Sequence, residues 1–258
     1  KIFPLELHYK GDVKNRYYAR VMRDRAWVFL RACAVEARLG RDVIYIVDEN
    51  SNGIYGEETE DAIYIDKKHR GGPFSNIVSV GGNCYEIQIN AAGTEVKYRE
   101  YTGETGEVDI NEGFDAKDDL ETVIVKGQSN GGMVFVDVAT RRGTVKVPTG
   151  NYSLVRAYMD MVEIGPGNNT SFEVTTGEPA TMKMGMKLKI ETQLSVRTVK
   201  GKKMFTLNPR PMPKVVGASG EVYAGEYMDD ARFAFKVYQA TANGRPIGRP
   251  TTWSPCFS

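Results

Sequence analysis

Histidine and cysteine are scarce in this 258-residue sequence. Its two histidines stand far apart: His8 lies in an alternating strand-like run and His69 in a basic loop, where structural or solvent-exposed histidines are more common than catalytic ones. Cys33, Cys84 and Cys256 are an odd number at unrelated spacings, so at most one intrachain disulfide can form, and we expect all three thiols to be reduced. No local motif pairs a cysteine with a histidine, so cysteine-based catalysis has no support in the sequence.

The sequence also lacks an excess of charge and a long apolar run. Lys and Arg total 34 against 33 Asp and Glu, a formal net charge of +1. Such a balance gives no global attraction to nucleic acid, and we expect no nucleic-acid partner. The basic run at residues 200–203 is predicted to be a solvated hairpin tip. No apolar run approaches the roughly 20 residues that span a bilayer, so no transmembrane segment is expected.

A convincing nucleophile motif is missing as well. Gly127, Ser129 and Gly131 keep the G-x-S-x-G spacing of a nucleophile elbow. A helix should follow such an elbow, whereas residues 133–138 are typical of another strand, so the segment is predicted to be a hairpin loop. No nucleotide-binding loop is present either. The sequence therefore favours a protein that is not an enzyme, without deciding the question.

Period-two alternation of apolar and polar residues dominates the chain, and 41% hydrophobic residues suffice for genuine cores. Residues 84–89 and 94–99 are predicted to pair as a hairpin across a glycine-containing loop. Residues 15–39 have helix-favouring composition, but we favour strands there, with a hairpin turn at residues 39–42. The predicted fold is mainly β, built from two to three antiparallel β-sandwich-like units with little helix.

Two segments are typical of connectors. Residues 112–119 are acidic and lack strong periodicity, and residues 208–213 carry proline at alternate positions, which removes strand hydrogen-bond donors. We therefore predict an N-terminal β-unit over residues 1–115, a middle β-sandwich unit over 118–207, and a small C-terminal β-unit over 208–258. The last unit can pack on the middle one.

The most informative segment is the loop that begins Asp48-Glu49-Asn50-Ser51-Asn52-Gly53, between two strand-like runs. Short oxygen-bearing side chains at its first, third and fifth positions and glycine at its sixth match the way that a chain folds around calcium. The loop contains no histidine or cysteine, which favours calcium over zinc or copper. Its flanks are strands, so it is not a helix–loop–helix sensor.

The predicted calcium ligands are Asp48, Asn50, Asn52, the carbonyl of Ile54 and one downstream carboxylate. That carboxylate is Asp61, where the return strand begins, or else Glu58. The twelfth loop position, where an EF-hand has a bidentate glutamate, holds threonine here. In the alternative interpretation the loop is a plain polar turn whose side chains cap their own backbone.

The order of three short motifs resembles a group of uncharacterised exported bacterial β-proteins. The motifs are a strand–D-x-N-x-N-G–strand loop that ends in aspartate (48–61), a G-x-x-Y hairpin (82–85) and a V-P-x-G-x-Y turn (147–152). The last turn also resembles that of prealbumin-like and carboxypeptidase-regulatory-type sandwiches, which are usually adhesive or structural. The resemblance implies a β architecture and an exported location, in the periplasm, cell envelope or extracellular space. The first residue is Lys1, which fits a removed leader.

We therefore predict a non-enzymatic exported or cell-envelope β-protein with a calcium-stabilised loop, which acts structurally or presents a ligand to an unknown protein or glycan partner. The alternative is a carbohydrate-binding accessory module or a glycoside-active enzyme that uses acidic residues and tyrosines. The aromatic residues considered for sugar stacking are Tyr17, Tyr18, Tyr98, Tyr101, Tyr223, Tyr227 and Trp253.

Overall fold

The protein is built from β-strands. The computed structural model describes residues 2–10, 13–23, 27–31, 34–65, 70–115, 119–129, 132–140, 143–160, 162–185, 188–208, 214–225, 233–238 and 246–253. Every regular element in these ranges is a strand, and no helix occurs among them. This confirms the predicted mainly β fold. The described residues accordingly contain no helix that is long and apolar enough to cross a membrane.

The first ten strands form three antiparallel sheets. The strands are β1 (Ile2–Tyr9), β2 (Val13–Arg23), β3 (Trp27–Arg31), β4 (Val35–Leu39), β5 (Asp42–Val47), β6 (Ala62–Ile65), β7 (Gly72–Pro73), β8 (Ile77–Val80), β9 (Asn83–Ile89) and β10 (Val96–Glu100). The sheet orders are β1-β2-β3, β4-β5-β6-β7 and β10-β9-β8. The predicted hairpin is confirmed, since Ile89 of β9 pairs with Val96 of β10.

Apart from residue 34, the ambiguous segment 15–39 is strand wherever the structure describes it, as the alternation favoured. Strands β2, β3 and β4 cover it, and β4 turns into β5 with Leu39 opposite Asp42. Gly40 makes this turn with φ +65°, a conformation that L-residues with side chains rarely adopt. Helix propensity is overridden because β2 buries Tyr17 and Ala19 and β4 buries Leu39 in the core.

Strands from all three sheets contribute to one hydrophobic core. In β5, Ile44 and Ile46 are fully buried while Tyr45 between them is half-buried, which is the period-two pattern of a strand on a core. Each fully buried isoleucine contributes about 1.5–3 kcal/mol to folding. The buried members are Tyr17, Ala19, Leu39, Ile44, Ile46, Tyr55, Ile63, Phe74, Val78, Val80 and Ile87.

The later strands build a second body around an eight-stranded sheet. They are β11 (Thr105–Val108), β12 (Phe114–Asp115), β13 (Thr122–Ser129), β14 (Gly132–Asp137), β15 (Val145–Pro148), β16 (Gly150–Met159), β17 (Val162–Gly165), β18 (Ser171–Val174), β19 (Met184–Gly185), β20 (Lys189–Glu191), β21 (Gln193–Val199), β22 (Lys202–Asn208), β23 (Lys214–Val216), β24 (Val222–Gly225), β25 (Phe233–Tyr238) and β26 (Pro246–Trp253). The large sheet has the order β14-β13-β16-β17-β24-β23-β20, and β18 also pairs with β16.

Smaller strand pairs complete this part of the chain. Strands β11 and β15 pair antiparallel, β12 and β19 pair parallel, and β21–β22 and β25–β26 are two-stranded hairpins. A second core, with Val123, Val125, Leu154 and Ile164 nearly inaccessible to solvent, lies under the large sheet.

Strand pairing crosses both predicted domain boundaries. Strands β11 and β12, which precede residue 118, pair with β15 and β19 of the second body. Strands β23 and β24, which follow residue 207, extend its large sheet and pair with β20 and β17. Residues 214–225 therefore belong to the same large sheet as β17 and β20.

Polar side chains join the two bodies. Ser75 is almost fully buried, and its Oγ accepts a hydrogen bond from the Phe135 amide at 3.1 Å. The Cys84 thiol donates to the carbonyl of Lys146 at 3.1 Å. Cys84 is a free thiol, as expected, whereas Cys33 and Cys256 lie outside the described residues.

The buried thiol of Cys84 is expected to react slowly. Burial raises its pKa to about 11, although the Ser79 hydrogen bond and the Lys146 charge oppose this shift. The fraction of thiolate at pH 8 is then roughly 100-fold smaller than for an unperturbed thiol. In a Cys33→Ser/Cys256→Ser variant, iodoacetamide at pH 8 should alkylate Cys84 at least 100-fold faster in 8 M urea than in buffer. Rates within tenfold of each other would contradict the burial.

The same pKa shift links this thiol to alkaline stability. Because the folded-state pKa lies above the unfolded value of 9.0, the stabilising contribution is fully present below pH 9 and is lost as pH rises toward 11.

Candidate cation-binding loop

The loop at residues 48–61 connects two paired strands. Strands β5 and β6 pair up to Val47 and Ala62, so the loop begins and ends at neighbouring backbone positions. Its first and last residues are both carboxylates, Asp48 and Asp61, and both are buried. The sheet thereby brings together two acidic side chains that lie 13 positions apart in the sequence.

Asp48 organises the first half of the loop by accepting hydrogen bonds. Its side chain is fully buried, and Oδ2 accepts hydrogen bonds from the Gly53 amide and the Tyr17 hydroxyl, each at 2.7 Å. Oδ1 accepts a longer hydrogen bond of 3.2 Å from the Asn52 amide. A buried carboxylate is tolerated when several donors converge on it, and these three bonds fix the loop backbone.

The two asparagines form successive side-chain turns. Asn50 Oδ1 accepts from the Asn52 amide at 3.1 Å, and Asn52 Oδ1 accepts from the Ile54 amide at 2.7 Å. Gly53 has φ +85°, which confirms the sharp turn expected at the sixth loop position. A Cβ at Gly53 would also lie 2.5 Å from the Leu7 side chain. The backbone therefore accommodates only glycine at this point.

Strands β1 and β2 contact the loop, although no sequence pattern predicts these contacts. The Tyr9 hydroxyl donates to the Gly53 carbonyl, and Tyr17 reaches Asp48 from β2. These contacts link residues that are 44 and 31 positions apart. Only the tertiary fold brings the N-terminal sheet to the loop.

Asp61 closes the loop and carries its main electrostatic cost. Its side chain is 2% exposed, and Oδ2 accepts from the amides of Gly56 at 2.7 Å and Glu57 at 3.1 Å. Oδ1 is buried and has no hydrogen-bond partner among the described residues. A buried carboxylate oxygen without a donor is unusual in a folded protein.

The pKa of Asp61 is raised above its usual value. Desolvation by burial is the main cause, and the negative charge of Asp48 adds to it. The backbone amides of Glu57, Gly56 and Glu49 act in the opposite direction. The charge of Asp48 thus disfavours the charged form of Asp61, and a cation placed near them would relieve this repulsion.

Glu57, which the sequence did not single out, lies beside both asparagines. Its Oε2 accepts from the side-chain amides of Asn50 at 3.2 Å and Asn52 at 2.5 Å. Glu58 instead accepts a hydrogen bond from the Asn76 side chain at 2.6 Å, so it does not lie beside Asn50 and Asn52. The sequence shows a run of acidic residues here but not which one turns inward, because that depends on the backbone between Gly56 and Asp61.

The loop does not form a cluster of strong metal ligands. In the described parts of the chain, no three or more His, Cys, Asp or Glu side chains are arranged to hold a metal ion. Any cation here would depend on amide and carbonyl oxygens in addition to Asp48 and Asp61. Ile54, whose carbonyl is a predicted ligand, is 41% exposed.

The remaining candidates do not assemble into a site. His8 is exposed and contacts Glu6 at 3.0 Å, whereas His69 lies outside the described residues. Ser129 lies at the β13–β14 hairpin, as predicted, and its Oγ is 2.8 Å from the Tyr101 hydroxyl. Met133 follows on strand β14 instead of the helix that a nucleophile elbow requires.

The tyrosines do not share one exposed face. Tyr17 and Tyr223 are buried, whereas Tyr98 is 49% exposed and packs edge-on against Tyr85 at 5.9 Å between ring centroids. Tyr227 and the side chain of Trp253 are outside the described part of the structure.

No protein-family model matches the chain, and no curated protein or solved structure matches it either. The resemblance to exported bacterial β-proteins therefore stays a prediction.

Proposed function

We propose that this chain is a non-enzymatic exported or cell-envelope β-protein that uses calcium to stiffen the loop at residues 48–61. Its β-bodies would present loops to a protein or glycan partner. The exported location rests on the sequence resemblance. The non-enzymatic role rests on the scarcity of histidine and the lack of a nucleophile motif.

The observation that carries the calcium proposal is the unpartnered oxygen of Asp61 beside a second buried carboxylate. Leaving a buried polar atom without a partner costs about 1–3 kcal/mol, and more when the group is charged. A hard divalent cation satisfies carboxylate oxygens and compensates two negative charges at once. This explains why the loop would keep Asp48 and Asp61 where apolar residues could otherwise pack.

The proposed ligands are the loop oxygens that can accept a further interaction. Asp48 Oδ1 is the carboxylate oxygen with the weaker hydrogen bond, and each amide oxygen of Asn50 and Asn52 has a second lone pair besides the one that accepts a backbone amide. The Ile54 carbonyl and Asp61 Oδ1 complete the set. Glu57 replaces Glu58 as the additional carboxylate, since it already lies against both asparagines.

Calcium should raise the melting temperature of the protein. With few charged ligands, we place the dissociation constant near 10⁻⁴ M, so roughly 10 mM calcium would add about 2.7 kcal/mol to the free energy of unfolding. For a body of about 100 residues, such as the one that contains this loop, that is a shift of about 10–20 °C. The measurement is a thermal scan followed by circular dichroism in calcium and in excess EDTA, repeated on an Asn50→Ala/Asn52→Ala variant. Equal melting temperatures in both buffers would show that the loop is a plain polar turn that does not bind calcium.

The carbohydrate-binding alternative has weaker support, because two of its candidate tyrosines are buried. A glycan array tests it independently of calcium. Reproducible sugar binding that is lost in Tyr98→Ala would favour it over the structural role.

A further inference from the structure

The near-neutral total charge conceals a strong separation of charge along the chain. Residues 183–214 contain nine Lys or Arg and one Glu, a net charge of +8, whereas the whole chain carries +1. All other residues together therefore carry −7. One short segment therefore carries a large excess of positive charge, while the rest of the chain is net negative.

This basic segment includes a hairpin that forms a sheet of its own. Strands β21 and β22 pair antiparallel, with Val199 opposite Lys202, and their sheet has no third strand among the described residues. Lys200 and Gly201 make the turn with φ +49° and +74°. The predicted hairpin tip is confirmed, and it places three lysines, Lys200, Lys202 and Lys203, within four consecutive residues.

The same segment exposes large aliphatic side chains. Leu188 and Ile190 are each 56% exposed, Val196 is 51% exposed and Val199 is 46% exposed. They alternate with Lys189, Arg197 and Lys200. Exposed aliphatic groups interspersed with cations are the composition of surfaces that lie at a membrane interface, where lysine stems and aliphatic groups enter the headgroup region and ammonium groups meet lipid phosphates.

We propose that the tip of the β21–β22 hairpin, with Val196, Val199 and the lysines of residues 200–203, docks on a membrane surface that contains anionic phospholipid. Every side chain from Ser195 to Lys200 is exposed, so this part of the hairpin can lie against a soft, planar surface. Nucleic acid would use the lysines but gains nothing from the exposed aliphatic side chains. The anionic bilayer is the partner that uses both features, and this docking does not depend on the cation-binding loop.

The expected binding is weak and sensitive to salt. Each lysine close to an anionic surface strengthens partitioning roughly fivefold, so the three tip lysines together account for a factor of roughly 100. The attraction falls off over a Debye length of about 8–10 Å near physiological ionic strength. Only the tip and the side chains beside it are then close enough to contribute.

The test is co-sedimentation of the full chain with sucrose-loaded vesicles in 50 mM NaCl and EDTA. The vesicles are either pure phosphatidylcholine or contain 30% phosphatidylglycerol. The variant Lys200→Asp/Lys202→Glu/Lys203→Glu reverses the tip charge, with Asp at position 200 because it tolerates a positive φ. The control variant Lys14→Glu/Lys97→Glu/Lys126→Glu makes the same change of net charge on other strands.

We expect the unmodified chain to bind only the anionic vesicles and to be released by 500 mM NaCl. The tip variant should bind at least 100-fold more weakly, and the control variant within about fivefold of the unmodified chain. Val196→Ser/Val199→Ser should weaken vesicle binding about tenfold but leave binding to a short DNA duplex unchanged. Equal binding to both kinds of vesicle, equal effects of the two charge variants, or binding to DNA without binding to vesicles would each overturn the proposal. Unchanged melting temperatures in EDTA show that the variants fold.

Discussion

Replacing Asp48 with alanine is expected to lower the free energy of unfolding by about 3 kcal/mol or more. The substitution removes the acceptor of three hydrogen bonds and leaves the Gly53 amide and the Tyr17 hydroxyl without their partner in a buried site. The measurement is urea unfolding in EDTA, followed by circular dichroism. Hydrogen exchange should show faster exchange at the amides of Asn52 and Gly53 than in the unmodified protein.

Two further variants separate the loss of these hydrogen bonds from a general packing defect. Asp48→Asn keeps one acceptor oxygen and nearly the same volume, so we expect a loss of about 1 kcal/mol. Tyr17→Phe removes only the hydroxyl donor and should cost a similar amount. If Asp48→Ala unfolds at the same urea concentration as the unmodified protein, Asp48 does not organise the loop.

Replacing Asp61 with asparagine is expected to stabilise the calcium-free protein at pH 7. The variant keeps one oxygen for the amides of Gly56 and Glu57 and removes a buried negative charge beside Asp48. The gain should be about 1–2 kcal/mol in EDTA, because the variant removes a charge that burial and the neighbouring Asp48 disfavour. Urea unfolding in EDTA at pH 7 measures it.

The pH dependence has a definite sign. The folded-state pKa of Asp61 lies above its unfolded value of 3.8, so ionisation of this group opposes folding. Its stabilising contribution is present below pH 3.8 and is lost as pH rises through the folded-state pKa. The gain in the free energy of unfolding from Asp61→Asn should therefore become smaller as the pH is lowered toward 4.

Calcium should reverse which of the two proteins, the unmodified chain or Asp61→Asn, is the more stable. At roughly 10 mM calcium the unmodified chain gains the binding free energy while Asp61→Asn loses most of it, so the variant becomes the less stable of the two. Glu60→Gln, which changes an exposed carboxylate in the same loop, is the matched control. It should change the free energy of unfolding by no more than about 0.5 kcal/mol, both in EDTA and in calcium. An Asp61→Asn variant that is less stable in EDTA would show that the charged carboxylate supports the loop by itself.

Local patterns in the sequence were sufficient for the strands and turns. Alternation identified β5, β9 and β10, and glycine at positions 40 and 53 marked turns that require a positive φ. These features depend on neighbouring residues, because a strand alternates its faces at every residue and a tight turn depends on the few residues that form it.

The sequence by itself therefore determined a mainly β protein and located a polar loop with oxygen-bearing side chains at fixed spacing. Only the tertiary structure decided that Asp48 and Asp61 are both buried, that Tyr17 reaches Asp48 from another strand, and that Glu57 rather than Glu58 contacts the asparagines. Burial and partner choice depend on which distant strands pack over the loop. Those contacts join residues tens of positions apart, and no local pattern encodes them.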